Sequence, residues 1–455
     1  MIENNMDLAA GIKLTETVDG IPVGELEKAA PAKKKRSGAA RTSDTYIWGL
    51  YIFIMIVSII ELYSASSSEV TSKSLYGPLI SHMKFLVAGF FIVLWFQNRH
   101  YKVFRKWAWV VAGICLALLV YSFMFGLNIN GAQRAIGLPG GFTLQPAEMA
   151  KLAVVLILAR IIAKNQMKGG ITNRGIVLSV AVITVFSIFL FRNGLTNFLL
   201  LAIVAVSMLI IGGIQWRKFL ILFGSLAVIG GIFVAAKILM PDNSSEEFDA
   251  IGGTNTPKRE KVDRTETRKE RIKSFIRGVS PDDKLTDDNR QVMFSKIAQA
   301  HGGLTGNGPG NSRESARLPL AFSDYIYSII VEDTGFIGGV GLLLLYLFIA
   351  LRAGTVASKC SRAFPALLIM GCAVLIVTQA LVHMGIAVGV LPVSGQPLPF
   401  ISKGGTSIIV MSCAIGMMLS VSRFAVKGNN RKEVNKEIRE LPEDMRAANP
   451  MQYNV

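Results

Sequence analysis

RLPLAFSDYIYSIIVEDTGFIGG, Arg317 to Gly339, is the stretch on which the fold turns. Pro319 and Ser323 form a rim that delivers Asp324 to the mouth of a long apolar run, and Glu332 and Asp333 then fall inside that run. An ionisable group within a membrane span is costly and marks a functional site by default. Asp324 is therefore the first candidate, a carboxylate over a cavity facing lipid.

The chain around it has the composition of a membrane protein. Of its 455 residues 51% are hydrophobic, and they fall in runs of about twenty, the length that crosses a bilayer as a helix. The expected class is an all-α polytopic membrane protein with ten spans, at roughly 46–64, 79–96, 107–126, 146–163, 175–191, 195–213, 219–239, 324–351, 364–391 and 405–424. Residues 46–425 form the membrane domain, with 240–323 as one long extracytoplasmic loop. Residues 1–45 and 426–455 read as polar cytoplasmic tails. The first is read as disordered, and its basic cluster at Lys33, Lys34, Lys35, Arg36 and Arg41 either meets anionic membrane lipid or is a plain topogenic flank. It lacks the apolar core and cleavage site of a signal peptide, so the first span is expected to be an uncleaved anchor.

Charge orients the spans. The connections at 97–106, 164–174, 214–218 and 352–363 carry twelve Lys/Arg and the opposite set carries five, which puts both termini in the cytoplasm by the positive-inside rule. Cys115, Cys372 and Cys413 lie in apolar runs and Cys360 in a short basic loop, so no disulfide framework is implied. His383 lies alone in the ninth span near Gln379, and an isolated intramembrane histidine more often bonds a neighbouring helix than a metal. No spacing of metal ligands occurs, and nothing points to nucleic acid.

Further clusters face the same side as Asp324. GLNINGAQRAIGLPGGFTLQPAEMAKLA sets Arg134 among glycines and Pro146 at the first turn of a helix. Glu148 and Lys151 share a face of that helix; either they neutralise one another and fix packing, or Lys151 serves a wet cavity. RNGLTNFLL puts Arg192, Asn193, Thr196 and Asn197 at the rim of a helical hairpin, where polar groups more often satisfy backbone than bind a ligand. GVLPVSGQPLPFISKGGTS joins two spans through Pro392, Gly395, Pro397, Pro399, Gly404 and Gly405. Irregular backbone at membrane depth must be buried in protein or line a cavity. Ser394, Ser402, Lys403 and Thr406 then line a polar pocket, or the turn only caps the bundle. In the long loop, Arg290 to Ala300 reads as an amphipathic helix lying at the interface. HGGLTGNGPGNSRES follows, a loop whose amides suit a phosphate or which is a plain hinge.

GAQR, QPAEMAKL, LPLAFSDYIYSIIVEDTGFIGG and GVLPVSGQPLPFISKGGTS, in that order, resemble the SEDS family of bacterial cell-wall polymerases, the RodA and FtsW type, over about residues 46–425. GNGPGNS is similar to the FtsW branch. The resemblance implies a peptidoglycan glycosyltransferase that polymerises lipid II, a polyprenyl-diphosphate-linked disaccharide pentapeptide, at the outer face of the cytoplasmic membrane for septal wall synthesis. It implies Asp324, preceded by Ser323, as the general base on the acceptor sugar's 4-hydroxyl, with undecaprenyl pyrophosphate leaving. Arg134 and Lys151 match cationic positions of the same cavity; Glu148, Ser323, Ser394, Lys403 and Thr406 are the further candidate substrate contacts read from the residues, Lys403 either as a replacement phosphate contact or as a lysine that only snorkels to the outer interface. Glu332 is implied as a structural partner for a cation on a neighbouring helix. The implied partners are a class B penicillin-binding protein and other division proteins, and a divalent cation, Mg or Mn, is an optional helper at the diphosphate. Ala135 stands where the family usually has Trp, Leu320, Ala321 and Phe322 where it has Glu-Ala-His, and Lys403 where it often has Tyr.

The chemistry agrees with that implication. An acceptor hydroxyl needs a base, worth about 10²–10⁴-fold, and a departing diphosphate needs preorganised positive charge. A lipid II transporter, a division scaffold and an elongation-type polymerase remain the rival readings. Arg134, Lys151, Asp324 and Lys403 gather toward the outer leaflet and no internal repeat occurs, which favours an enzyme over a transporter.

Overall fold

The computed structural model describes residues 17–18, 21–22, 42–66, 77–129, 132–138, 142–167, 170–220, 277–278, 287–318 and 321–425. The chain divides into two units, residues 1–42 and 43–455. In the first, β1 (Thr17–Val18) pairs antiparallel with β2 (Ile21–Pro22). All that follows concerns the second.

Nine of the ten expected spans are helices: α1 (Thr45–Ser66), α2 (Gly77–Gln97), α3 (Tyr101–Phe125), α4 (Pro146–Lys164), α5 (Asn173–Asn193) and α6 (Leu195–Ile211), then, beyond the long loop, α8 (Ile326–Ser358), α9 (Ala363–Ala387) and α10 (Gly405–Ala425). Seven of these are long and apolar enough to cross a membrane on that basis alone; α6 is a shorter apolar helix, and α4 carries Glu148, Lys151, Arg160 and Lys164. The expected span 219–239 lies, past Leu220, outside the described residues. The bundle is centred on α9 and α10, whose apolar stretches are 72% and 78% buried, against 22% for α2 and α5.

Some boundaries move for identifiable reasons. α3 starts at Tyr101, not 107, because the His100 ring accepts the Lys102 amide at 3.2 Å as an N-cap; Lys102, Arg105 and Lys106 therefore lie on the first turns of a helix and not in a loop. α9 stops at Ala387, short of the expected 391, and Gly389 follows at φ 82°, a left-handed conformation that glycine adopts without strain. The Gly-rich segment around Arg134 is not plain loop. It forms a three-stranded antiparallel sheet, β3 (Leu127–Ile129), β4 (Ala132–Leu138) and β5 (Phe142–Leu144), an addition to the all-α expectation. A two-residue hairpin, β6 (Gln166–Met167) and β7 (Gly170–Ile171), joins α4 to α5.

At the start of α1, Asp44 knits three helices. Its carboxylate accepts the Tyr46 and Ile47 amides at 3.1 Å, capping α1, and takes Arg352 of α8 at 2.7 to 3.1 Å, while its own amide donates to Ser422 of α10. One acid thus satisfies amides left over by a helix start and pins two neighbours to it.

α8 is broken at Gly335, where φ is 72° and ψ −176°. The break frees backbone groups at membrane depth, and the long loop fills it. Helix α7 (Asp287–Gly302) packs on α8 with Ala298 at 0% exposure. Its buried face, including Ser295 and Ala298, is turned to the protein. The chain then turns into the kink: the Asn307 and Gly308 amides donate to the carbonyls of Glu332 and Asp333 at 3.0 and 2.8 Å, and the Phe336 and Ile337 amides donate to Gly303 and Leu304 at 2.9 and 3.2 Å. A β-carbon on Gly306 would stand 2.2 Å from the Asp333 carbonyl oxygen, so the fit demands glycine. The amides of Asn307 and Gly308 are taken by α8 and are not offered to a phosphate.

Candidate functional site

Asp324 lies two residues before α8, in the turn that ends at the N-cap Tyr325. Ser323 Oγ donates to its Oδ1 at 2.8 Å. The 388–404 segment holds this turn from the other side: Ser402 Oγ donates to the Ser323 carbonyl at 2.6 Å, and the Lys403 amide donates to the Phe322 carbonyl at 3.0 Å. Gly395 abuts the carboxylate itself, since a β-carbon there would be 3.2 Å from Asp324 Oδ2. Two sequence-distant stretches thus meet on one carboxylate.

The 388–404 segment has no regular structure before α10, and its carbonyls are taken by side chains of the surrounding helices. Ser58 of α1 donates to Phe400 O at 2.8 Å, Tyr346 of α8 to Pro399 O, Gln379 of α9 to Pro397 O at 3.2 Å, and the His383 ring to Gln396 O at 2.7 Å. Phe400 sits at φ 68°, an uncommon conformation for a non-glycine residue. Its ring meets Tyr51 edge-on at 5.4 Å. Every freed carbonyl named here has a donor, as buried backbone requires.

Gln379 connects this segment to the buried cation. Lys151 is 0% exposed, and its Nζ donates to Glu148 Oε1 at 2.7 Å and to Gln379 Oε1 at 2.9 Å. The same Gln379 amide donates to Pro397 O and Ser407 Oγ. The Glu148–Lys151 pair is a close ion pair with its lysine fully buried, and through Gln379 it is wired to a segment that touches Asp324. Glu148 Oε2 has no partner among the described residues, nor has Ser394 Oγ, which leaves an acceptor and a hydroxyl in the same region for a ligand or water.

The remaining candidates separate. Lys403 Nζ stands 4.5 Å over the Phe322 ring. Thr406 donates to Thr143 O at 2.8 Å and accepts the Gln145 amide at 3.3 Å, tying α10 to β5 and to the start of α4. Arg134 lies in β4, and its side chain is outside the described residues. Glu332, expected to face a cation, instead accepts from neutral donors: Ser312 Oγ at 2.5 Å and the amides of Arg313 and Glu314 at 2.8 and 3.4 Å. It ties the end of the kink-filling loop to α8.

Sequence reasoning passed over Gln379 as a junction and Glu61 altogether. Each is a polar residue in an otherwise apolar run, which is signal enough. Glu61 is 2% exposed and sits one turn before Ser64, which donates to Asp333 and accepts the Gly310 amide at 2.8 Å. That turn brings two buried carboxylates from α1 and α8 to one place.

An apolar groove of about 620 Å³ runs between α2, α3, α4 and α10, from Thr143 and Thr406 to Arg99 and Trp95. Phe85, Phe96, Val111, Leu152, Ile409 and Met417 are among its walls. Among the described residues, no three His, Cys, Asp or Glu side chains come together to hold a metal ion, and no step below is assigned to one.

Comparison with known proteins gives the same outline. The chain is 27% identical over 380 residues to stage V sporulation protein E of Bacillus subtilis (strain 168), covering 82% of this chain and 95% of the relative. It is 26% identical over 412 residues to the probable peptidoglycan glycosyltransferase FtsW of Enterococcus hirae, covering 86% and 95%. In fold it is similar to a chain from a peptidoglycan synthase complex solved to explain how polymerization and crosslinking are coordinated, with a TM-score of 0.65 at 23% identity over 85% of this chain and 99% of that one. The FTSW_RODA_SPOVE family, described as cell cycle protein, matches residues 42–427. The chain belongs to that family.

Proposed function

We propose that this protein is a peptidoglycan glycosyltransferase that polymerises lipid II into glycan strands at the outer face of the cytoplasmic membrane, for septal wall synthesis, with both termini in the cytoplasm. The observation that carries the reading is the meeting of Asp324 with the 388–404 segment, whose Pro397 carbonyl shares Gln379 with Lys151. A carboxylate and a buried cation are thereby held on one short, irregular piece of chain.

The reaction uses them in sequence. The Asp324 carboxylate takes the proton of the acceptor sugar's 4-hydroxyl. The oxygen attacks the anomeric carbon of the donor sugar, the bond from that carbon to the diphosphate oxygen breaks, and undecaprenyl diphosphate leaves with the electron pair. Positive charge near the departing diphosphate comes from Lys151, Arg134 and Lys403, the first already fixed by Glu148 and Gln379 and so preorganised. The groove that starts at Thr143 and Thr406 accommodates the polyprenyl chain, which apolar walls hold without polar cost. A crosslinking partner, a class B penicillin-binding protein, joins the strands.

Lipid II supplied to the purified protein with that partner tests the reading. Glycan strands resolved on a gel are expected. Translocation of labelled lipid II across proteoliposomes without strand formation would contradict it and leave a transporter.

A further inference from the structure

We propose that His383 is a positioning residue for Asp324, acting through the 388–404 segment; the inference rests on the reading of Asp324 as the base. His383 lies on α9 at 0% exposure. Its Nδ1 is 2.7 Å from the Gln396 carbonyl oxygen. A carbonyl only accepts, so Nδ1 carries the proton and Nε2 is left as a bare acceptor. Nε2 has no partner among the described residues.

A histidine in an apolar helix is a poor choice for packing alone, because its polar atoms must be desolvated. What it gains here is one bond at one place. Gln379, one turn earlier on the same face of α9, holds the Pro397 carbonyl at 3.2 Å, so two successive carbonyls are pegged by two residues four apart. Gln396 is held a second time, its side-chain amide donating to Asn197 Oδ1 of α6 at 3.2 Å. The next residue back, Gly395, is the one that abuts the Asp324 carboxylate. Position 396 therefore sets how closely backbone approaches the base at 395. Without the imidazole, the Gln396 carbonyl loses its donor and the segment is free to shift against Asp324.

The geometry separates the two ring nitrogens, and isosteric substitutions read them separately. An Asn side chain can place its amide nitrogen where Nδ1 stands, a Gln places it nearer Nε2, and Leu supplies neither. With lipid II as probe and the intact protein bound to its partner, H383L and H383Q are expected to lower kcat about ten- to a hundredfold with KM little changed, because a shift of about 1 Å near a reacting group has that effect. H383N is expected to restore kcat. Amide exchange of residues 394–396 is expected to quicken in H383L and H383Q but not in H383N, with thermal unfolding as the control for folding. If H383L fails to fold, the contrast of H383N with H383Q still decides. H383Q outperforming H383N, or H383L turning over like wild type while D324N is dead, overturns the role of His383 and leaves the base intact. D324N turning over like wild type overturns the base instead.

Discussion

Among the described residues, regular structure breaks between apolar helical stretches at the Gly335 kink of α8 and in the 388–404 segment, and the two breaks are repaired differently. At the kink, backbone meets backbone: amides and carbonyls of 303–308 pair with those of 332–337, and a β-carbon on Gly306 or Gly335 would stand 2.2 or 2.3 Å from a backbone oxygen. In the 388–404 segment, carbonyls are taken one at a time by Ser58, Tyr346, Gln379 and His383 from three helices. The first repair is a plug. The second leaves Ser394 Oγ without a partner among the described residues and sets the segment against Asp324. Backbone pairing closes the first break, and helix side chains hold the second beside Asp324, the proposed base.

The largest expected effect breaks the plug. Gly306→Ala places a β-carbon 2.2 Å from a backbone oxygen at φ 78°, and should destabilise the fold by about 3 kcal/mol or more, with activity lost in parallel. Thermal unfolding in detergent measures it, and an unchanged Tm would mean that the loop does not fill the kink. Gln379→Leu should act differently. It strips a partner from Lys151 and the Pro397 carbonyl, and is expected to lower stability by about 1–3 kcal/mol while polymerisation falls more than the fold does, by about tenfold or more. Equal losses of stability and activity would erase the distinction between the two repairs.

Glu61 sharpens the comparison from the plug side. Its Oε2 has no partner among the described residues and it lies one turn from Ser64, which bonds Asp333. Glu61 faces the Asp333 carboxylate, so replacing its buried carboxyl with an amide of the same shape removes a like-charge neighbour and is neutral or stabilising, by about 1 kcal/mol. Glu61→Gln should therefore hold or raise Tm, whereas a fall of several degrees would show that the carboxylate has a cationic partner. The smallest effect is at Cys360, between α8 and α9, where burial pushes the thiol up to about 12. A raised value means that the thiolate is scarce below it, so Cys360 should stay unlabelled by maleimide at neutral pH in the folded protein; mass spectrometry of the peptide checks this.

Much of this was legible in the sequence. Runs of about twenty apolar residues located nine helices, and Pro146 marked the start of α4 as its residue type demands. Asp324, the Glu148–Lys151 pair and the Pro/Gly segment were visible because charge and irregular backbone are anomalies in a membrane. The kink was not, since Gly335 looks like any glycine in a span until the loop that fills it is placed. Glu332 was assigned a cation because charge invites charge; the amides of Arg313 and Glu314 satisfy it instead, and amides leave no mark in a sequence. The three-stranded sheet around Arg134 escaped notice because β3 and β5 have three residues each, too few for a period to show.

The most direct test of the central claim is the single-turnover rate of bond formation from lipid II in wild type and Asp324→Asn, each bound to the crosslinking partner, with lipid II binding measured separately. The account predicts unchanged binding and a rate about 10²–10⁴-fold lower in the variant. A variant that binds and polymerises at the wild-type rate would contradict Asp324 as the base.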